Sequence, residues 1–166
     1  MQEVSKVTAD TSYLETLALF EERVGDIYRI LSTRFADESG APEFWQALSS
    51  DEEAHAAQVR GLDPARYAAG LEHLAATDHF RLDVTLDQLA RIAEHVREAA
   101  IALPAAISMA YGLECSMAER HALLKPQGRG PAVAELLEAL LLADKAHLER
   151  ISEYAARYQV YLPGED

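Results

Sequence analysis

Two stretches of this sequence place an acid three residues ahead of a histidine. One is Glu52 and His55, in the run Asp51–Val59; the other is Asp144 and His147. On a helix, residues three apart share a face, so each pair can reach a single metal ion. The surroundings are apolar. Trp45, Leu48 and Val59 share the stripe 45, 48, 52, 55, 59 with the first pair, and Leu137, Leu140, Ile151 and Tyr154 flank the second. A carboxylate and an imidazole on such a stripe must be paired, metal-bound or exposed at a helix end. Spacing alone is weak evidence, because six histidines among 28 acids in 166 residues give about one such pair by chance. The stronger signal is a repeat. Glu21 precedes Glu52 by 31 residues and Glu114 precedes Asp144 by 30, and each glutamate sits in phase on an apolar stripe of its own.

Carboxylates can bridge two divalent cations and offset their charge, while one imidazole per metal completes each shell and leaves positions open to water or dioxygen. Glu21, Glu52, Glu114 and Asp144 bring four negative charges against the four positive charges of two divalent ions. Without metal, that cluster is costly to bury unless it is hydrated or partly protonated.

The elements that must position these groups are helices. Leu14, Leu17, Glu21, Val24, Tyr28, Leu31 and Phe35 advance by threes and fours and predict a helix from about residue 12 to 35. Gly40 and Pro42 mark a stop and a start, and a second helix follows to about residue 60. The short loop makes these two an antiparallel hairpin. Residues 61–84 break the pattern; Asp63-Pro64 starts a short helix, and Thr77-Asp78-His79 leads into a polar connection, so the segment reads as a crossover. Thr85 is the expected N-cap of a run to about residue 102, and Pro104 must kink or divide the long helix that would otherwise follow. Beyond it come Ile107, Tyr111, Glu114, Met117, His121 and Leu124, the turn Lys125–Pro131, and a last helix to about Tyr158. The fold class is therefore all-α, a single domain over residues 1–166 with hairpins at about 12–60 and 104–158 and a crossover over 61–103.

Composition agrees. Hydrophobic residues make up 49%, Gly and Pro number only 8 and 6, and 166 residues suit one domain with a sizeable core. A formal charge of −13 argues against a general nucleic-acid binder or docking on anionic lipid. The single cysteine, Cys115, permits no intrachain disulfide and no Cys-x-x-Cys knuckle. With no signal-like N-terminus and no apolar run long enough for a membrane span, a cytoplasmic location is expected.

The pattern resembles the ferritin-like superfamily, and within it the rubrerythrin-like branch. The matching motifs are Glu21-x6-Tyr28, Leu48-x3-Glu52-x2-His55, Ala106-Ile107 with Glu114, and Asp144-x2-His147. The resemblance covers about residues 15–60 and 104–155. It implies an antiparallel four-helix bundle with two iron ions at mid-bundle, manganese or zinc being alternatives. It further implies Glu21, Glu52 and His55 on one ion, Glu114, Asp144 and His147 on the other, and Glu52 or Glu114 as a bridge. Oxidoreductase chemistry of peroxidase or ferroxidase type follows, with peroxide, dioxygen or ferrous iron as reactant, an external electron donor and a homodimer. The alternative is a metal-binding, sensing or structural bundle with a partly degraded site. This sequence departs from the family pattern at Asp144, where Glu is usual, at His121, where an aromatic is usual, and at Met117, where peroxide-reducing members carry Glu. It also lacks the four-cysteine electron-delivery module.

Outside the six candidate ligands, His121 can pack, hydrogen-bond or ligate, and Tyr28 reads as core. His73, His79 and His95 lack acids at ligand spacing and read as surface. Cys115 adjoins Glu114 but points about 100° away, which favours a buried, inert thiol.

Overall fold

A computed structural model describes the backbone of residues 2–124 and 131–163; the side chains of residues 2–11 and of several positions between 64 and 80 lie outside the description. Most of the Lys125–Pro131 turn and the last three residues also lie outside it, as do the side chains of His73 and His79. The described residues form five helices and no strand: α1 (Gln2–Arg34), α2 (Ala41–Arg60), α3 (Pro64–Glu98), α4 (Leu103–Leu124) and α5 (Pro131–Arg157). The chain divides into two compact units, one built on α1, α2 and α3, the other on α4 and all but the start of α5.

In the first unit, α1 packs on both α2 and α3. All seven stripe residues from Leu14 to Phe35 are buried. A second row, Tyr13, Phe20 and Ile27, is buried too, so α1 hides more than one face and occupies the centre of its unit. Gly40 adopts the left-handed conformation (φ 76°) that a residue without Cβ reaches at little cost, and Pro42 opens α2 where its missing N–H has no helical partner anyway. Ser49 Oγ donates to Gly25 O at 2.9 Å and Ser32 Oγ to Pro42 O at 3.0 Å, so α2 runs antiparallel to α1. On the solvent side Arg60 reaches back to Glu15 at 3.3 Å and to Glu22. That bond to Arg60 holds the Glu22 carboxyl below its ordinary value, against a smaller opposing effect of burial.

The crossover corrects the reading of residues 61–102. It is one helix of 35 residues rather than a short helix, a polar connection and a new start. Asp63 caps it by accepting from Ala65 N at 3.0 Å. Thr85 is no N-cap; its hydroxyl donates back to Arg81 O at 2.8 Å, one turn earlier in the same helix. Asp78 is buried and accepts from Tyr13 Oη at 2.9 Å, so the acid that read as the lead into a polar connection is partnered inside. Leu82, Leu89 and Val96 repeat every seven residues as a narrow buried stripe. Because Tyr13 meets Asp78 and Arg34 meets Val96, α3 runs parallel to α1. Pro104 divides rather than kinks: α3 ends at Glu98 and Pro104 falls in the first turn of α4. Helix α1 also begins ten residues earlier than its periodicity indicated.

The second unit is tied by paired side chains. Glu114 lies against His147 and His121 against Asp144, so advancing along α4 retreats along α5, and the two helices are antiparallel. Leu137, Leu140, Asp144, His147, Ile151 and Tyr154 are all buried, as the sequence stripe requires. Tyr111, expected on the stripe of α4, is only partly covered.

Candidate metal centre

The first unit brings Glu21, Glu52 and His55 together. One ligand atom from each lies within 4.8 Å of the others, a spacing at which a single cation touches all three. Glu21 and Glu52 are buried, at 1% and 0% exposure, while His55 keeps 17% of its side chain open. His55 Nδ1 stands 3.1 Å from Glu52 Oε2, as the i, i+3 spacing on α2 predicts. Trp45, Leu48 and Val59 on the same stripe are fully buried. Trp45 stacks on Tyr28 with centroids 5.9 Å apart and a 24° tilt, so the tyrosine of the Glu21-x6-Tyr28 motif packs against α2 two turns along from the cluster.

Sequence reasoning missed two residues that make this convergence possible. A Cβ on Gly25 would stand 3.2 Å from Glu52 Cβ and 3.3 Å from Ser49 O. Glycine therefore lets α1 approach α2 one turn from Glu21, and the Ser49 hydroxyl ties the backbones together there. A glycine inside a helical pattern was the available signal.

The second unit places the other three candidates on facing sides of α4 and α5, with a different internal pairing. Glu114 and His147 are buried and His147 Nδ1 lies 3.4 Å from Glu114 Oε2. Here the histidine faces the glutamate of the opposite helix, whereas His55 faces the acid of its own. Asp144 is also buried, with Oδ2 2.7 Å from His121 Nδ1. Of the roles open to His121 from the sequence, the structure shows hydrogen bonding within the core. Cys115, next to Glu114, is partly exposed; burial pushes its thiol up, the nearby charges of Glu119 and Glu114 add to this, and a hydrogen bond with Tyr111 opposes it. His95 is exposed, in agreement with its surface reading.

A cleft of about 510 Å³ lined by Asp26, Arg29, Ile30, Thr33, Arg34 and Arg97 contains none of these groups. Its Arg34 is committed to the end of α3, donating to Val96 O at 3.0 Å, Arg97 O at 3.3 Å and Ala99 O.

Two carboxylates and one imidazole suit a divalent ion between hard and borderline, such as ferrous iron, manganese or zinc. No helix among the described residues is long and apolar enough to cross a membrane. No protein-family model, no curated protein and no solved structure matches the chain.

Proposed function

We propose that this chain is a ferritin-like, rubrerythrin-like carboxylate protein that binds two divalent metal ions, iron in the first instance, for redox chemistry. In this reading α1, α2, α4 and α5 are the four bundle helices and α3 is the crossover. The convergence of Glu21, Glu52 and His55 in buried surroundings carries the proposal, because one ligand atom from each lies within reach of a single cation. Glu21, Glu52 and His55 hold one ion, and Glu114, Asp144 and His147 the other. Bound iron supplies electron transfer to dioxygen or peroxide and an open coordination position. The chain's own contribution is to fix the donors on rigid helices and to exclude bulk water with Trp45, Leu48 and Val59. With a single cysteine it holds no four-cysteine relay, so electrons come from an external donor protein or from ferrous iron itself. A cytoplasmic homodimer is the assembly this reading carries.

One observation favours a second reading. Asp144 is a methylene shorter than glutamate and already engages His121, which suits a protein that binds or senses metal without turnover. Metal analysis with anaerobic ferrous titration separates the two. Two ions per chain with rapid consumption of dioxygen or peroxide, the consumption and the ion at Glu21 and His55 being lost in Glu52→Ala, is the expected result. A preparation grown with ample iron that binds at most one ion, with activity unchanged in Glu52→Ala, overturns the redox reading.

A further inference from the structure

The cleft of about 510 Å³ on the first unit is lined by Asp26, Arg29, Ile30, Thr33 and Arg34 of α1 and by Arg97 of α3. Three arginines against one aspartate give this lining a formal charge of +2, on a chain whose net charge is −13. Part of that charge serves the fold. Helices α1 and α3 end at Arg34 and Glu98, and the last carbonyls of a helix carry partial negative charge. Arg34 answers those of α3 by donating to Val96 O, Arg97 O and Ala99 O. A guanidinium has five N–H donors, so two of Arg34's remain. Arg29 pairs with Asp26, but that carboxylate is shared, since Arg23 Nη1 lies 3.2 Å from its other oxygen. One negative charge thus stands against two guanidiniums. Arg97 is exposed, and its side chain meets no ionic or hydrogen-bonding partner among the described residues. Thr33 gives its hydroxyl hydrogen to Arg29 O at 3.2 Å, which leaves the arginines as the side-chain donors of the cleft.

We propose that this cleft binds a small oxyanion carrying two negative charges, a phosphate or a dicarboxylate, held by Arg97 and Arg34 with Arg29 as the third cation. Guanidinium suits that class because its planar fork meets two oxygens of one carboxylate or phosphate at once. Arg34 is preorganised: its bonds to three backbone carbonyls fix it before a ligand arrives, which lowers the cost of ordering it. Ile30 adds an apolar contact, and a concavity of this size accepts a small molecule rather than a lone ion. Two negative charges on the ligand match the +2 of the lining. The acidic remainder of the chain repels anions at long range, where salt screens the effect, so the close fork contacts supply the affinity. No residue is shared with the candidate metal centre, and the inference stands apart from the metal reading.

Titration of the full chain with inorganic phosphate and with succinate, followed by amide NMR spectra at an ionic strength held constant with sodium chloride, tests this. Saturable shifts at Ile30, Thr33 and Arg97 are expected with one anion or both. The tighter of the two assigns the class, phosphate pointing to a phosphate ester and succinate to a dicarboxylate. Arg97→Gln removes a charge from an exposed position with no side-chain partner to lose, so the variant folds as the parent does. It should weaken binding by about tenfold or more. Arg81→Gln, which removes an exposed arginine of α3 outside the cleft, should bind as the parent does. Absence of saturation with both anions overturns the proposal. So does an affinity unchanged in Arg97→Gln. Equal losses in Arg97→Gln and Arg81→Gln overturn it as well, because overall charge then explains the binding.

Discussion

Gly25 shows how one missing side chain governs a site it never touches chemically. A methyl group there would sit 3.2 Å from Glu52 Cβ and 3.3 Å from Ser49 O, and neither atom is the free end of a flexible chain. Relief requires α1 and α2 to part by a few tenths of an ångström, which moves Glu21 relative to Glu52. Alanine would also gain up to ~1 kcal/mol of helix propensity, against an overpacking cost of about 1–3 kcal/mol. The net change in stability is therefore small and destabilising, whereas the change in metal affinity is not offset by anything. Gly25→Ala should lower affinity at Glu21, Glu52 and His55 by at least tenfold, about 1.4 kcal/mol, while urea unfolding of the metal-free protein shifts by under about 2 kcal/mol. Titration of the variant with cobalt(II) checks this, and an affinity unchanged from the parent's would show that the close approach is irrelevant to binding. The sequence displayed the candidate ligands but not this requirement, because a mid-helix glycine gives no hint of which neighbour comes near.

Among the elements, α3 is where local pattern and tertiary structure part company. Thr77-Asp78-His79 reads as a polar break, yet Asp78 is satisfied by Tyr13, 65 residues away in sequence, and the helix runs through. A buried acid with a distant partner looks the same in sequence as an exposed one, so the crossover was legible as a segment but not as a helix. The periodic stripes of α1, α2 and α5 were legible almost residue for residue, since each stripe is buried along its length, although the second buried row of α1 was not. The far end of α3 depends on another distant contact. Its last carbonyls lack helical donors, and Arg34 of α1 supplies them through Val96 O, Arg97 O and Ala99 O. Hydrogen bonds from a charged donor contribute roughly 1.5–3 kcal/mol net, and partial exposure places Arg34 toward the lower end. Arg34→Ala should destabilise the protein by about 1–2 kcal/mol and raise amide exchange across residues 95–99 before the rest of the helix. Exchange in that stretch indistinguishable from the parent would remove Arg34 from its capping role.

At the scale of the whole molecule, a chain with a formal charge of −13 buries Glu21 and Glu52 in one unit and Glu114 and Asp144 in the other. Hydrophobic burial can support such groups, but removing carboxylates from water works against folding unless a cation or proton compensates them. Stability should therefore be linked to metal. An ion that binds only the folded chain stabilises it by about 2.7 kcal/mol at a hundredfold excess over Kd. For a protein of this length each kcal/mol raises Tm by roughly 2–4 °C, so loading one site should raise Tm by about 5–10 °C. Chelation should reverse the gain. Glu52→Gln gives the complementary result, because it keeps the side chain's shape while removing one buried negative charge. Its metal-free form should melt at or above the parent's metal-free Tm, and its response to metal should be largely lost, the pattern of a site kept for function at a cost in stability. Scanning calorimetry of both proteins, with chelator and with ferrous ion under argon, measures the four values needed. Equal Tm for the parent under both conditions, with Glu52→Gln melting lower than the metal-free parent, would mean that Glu52 is a structural acid and that the cluster does not serve a cation.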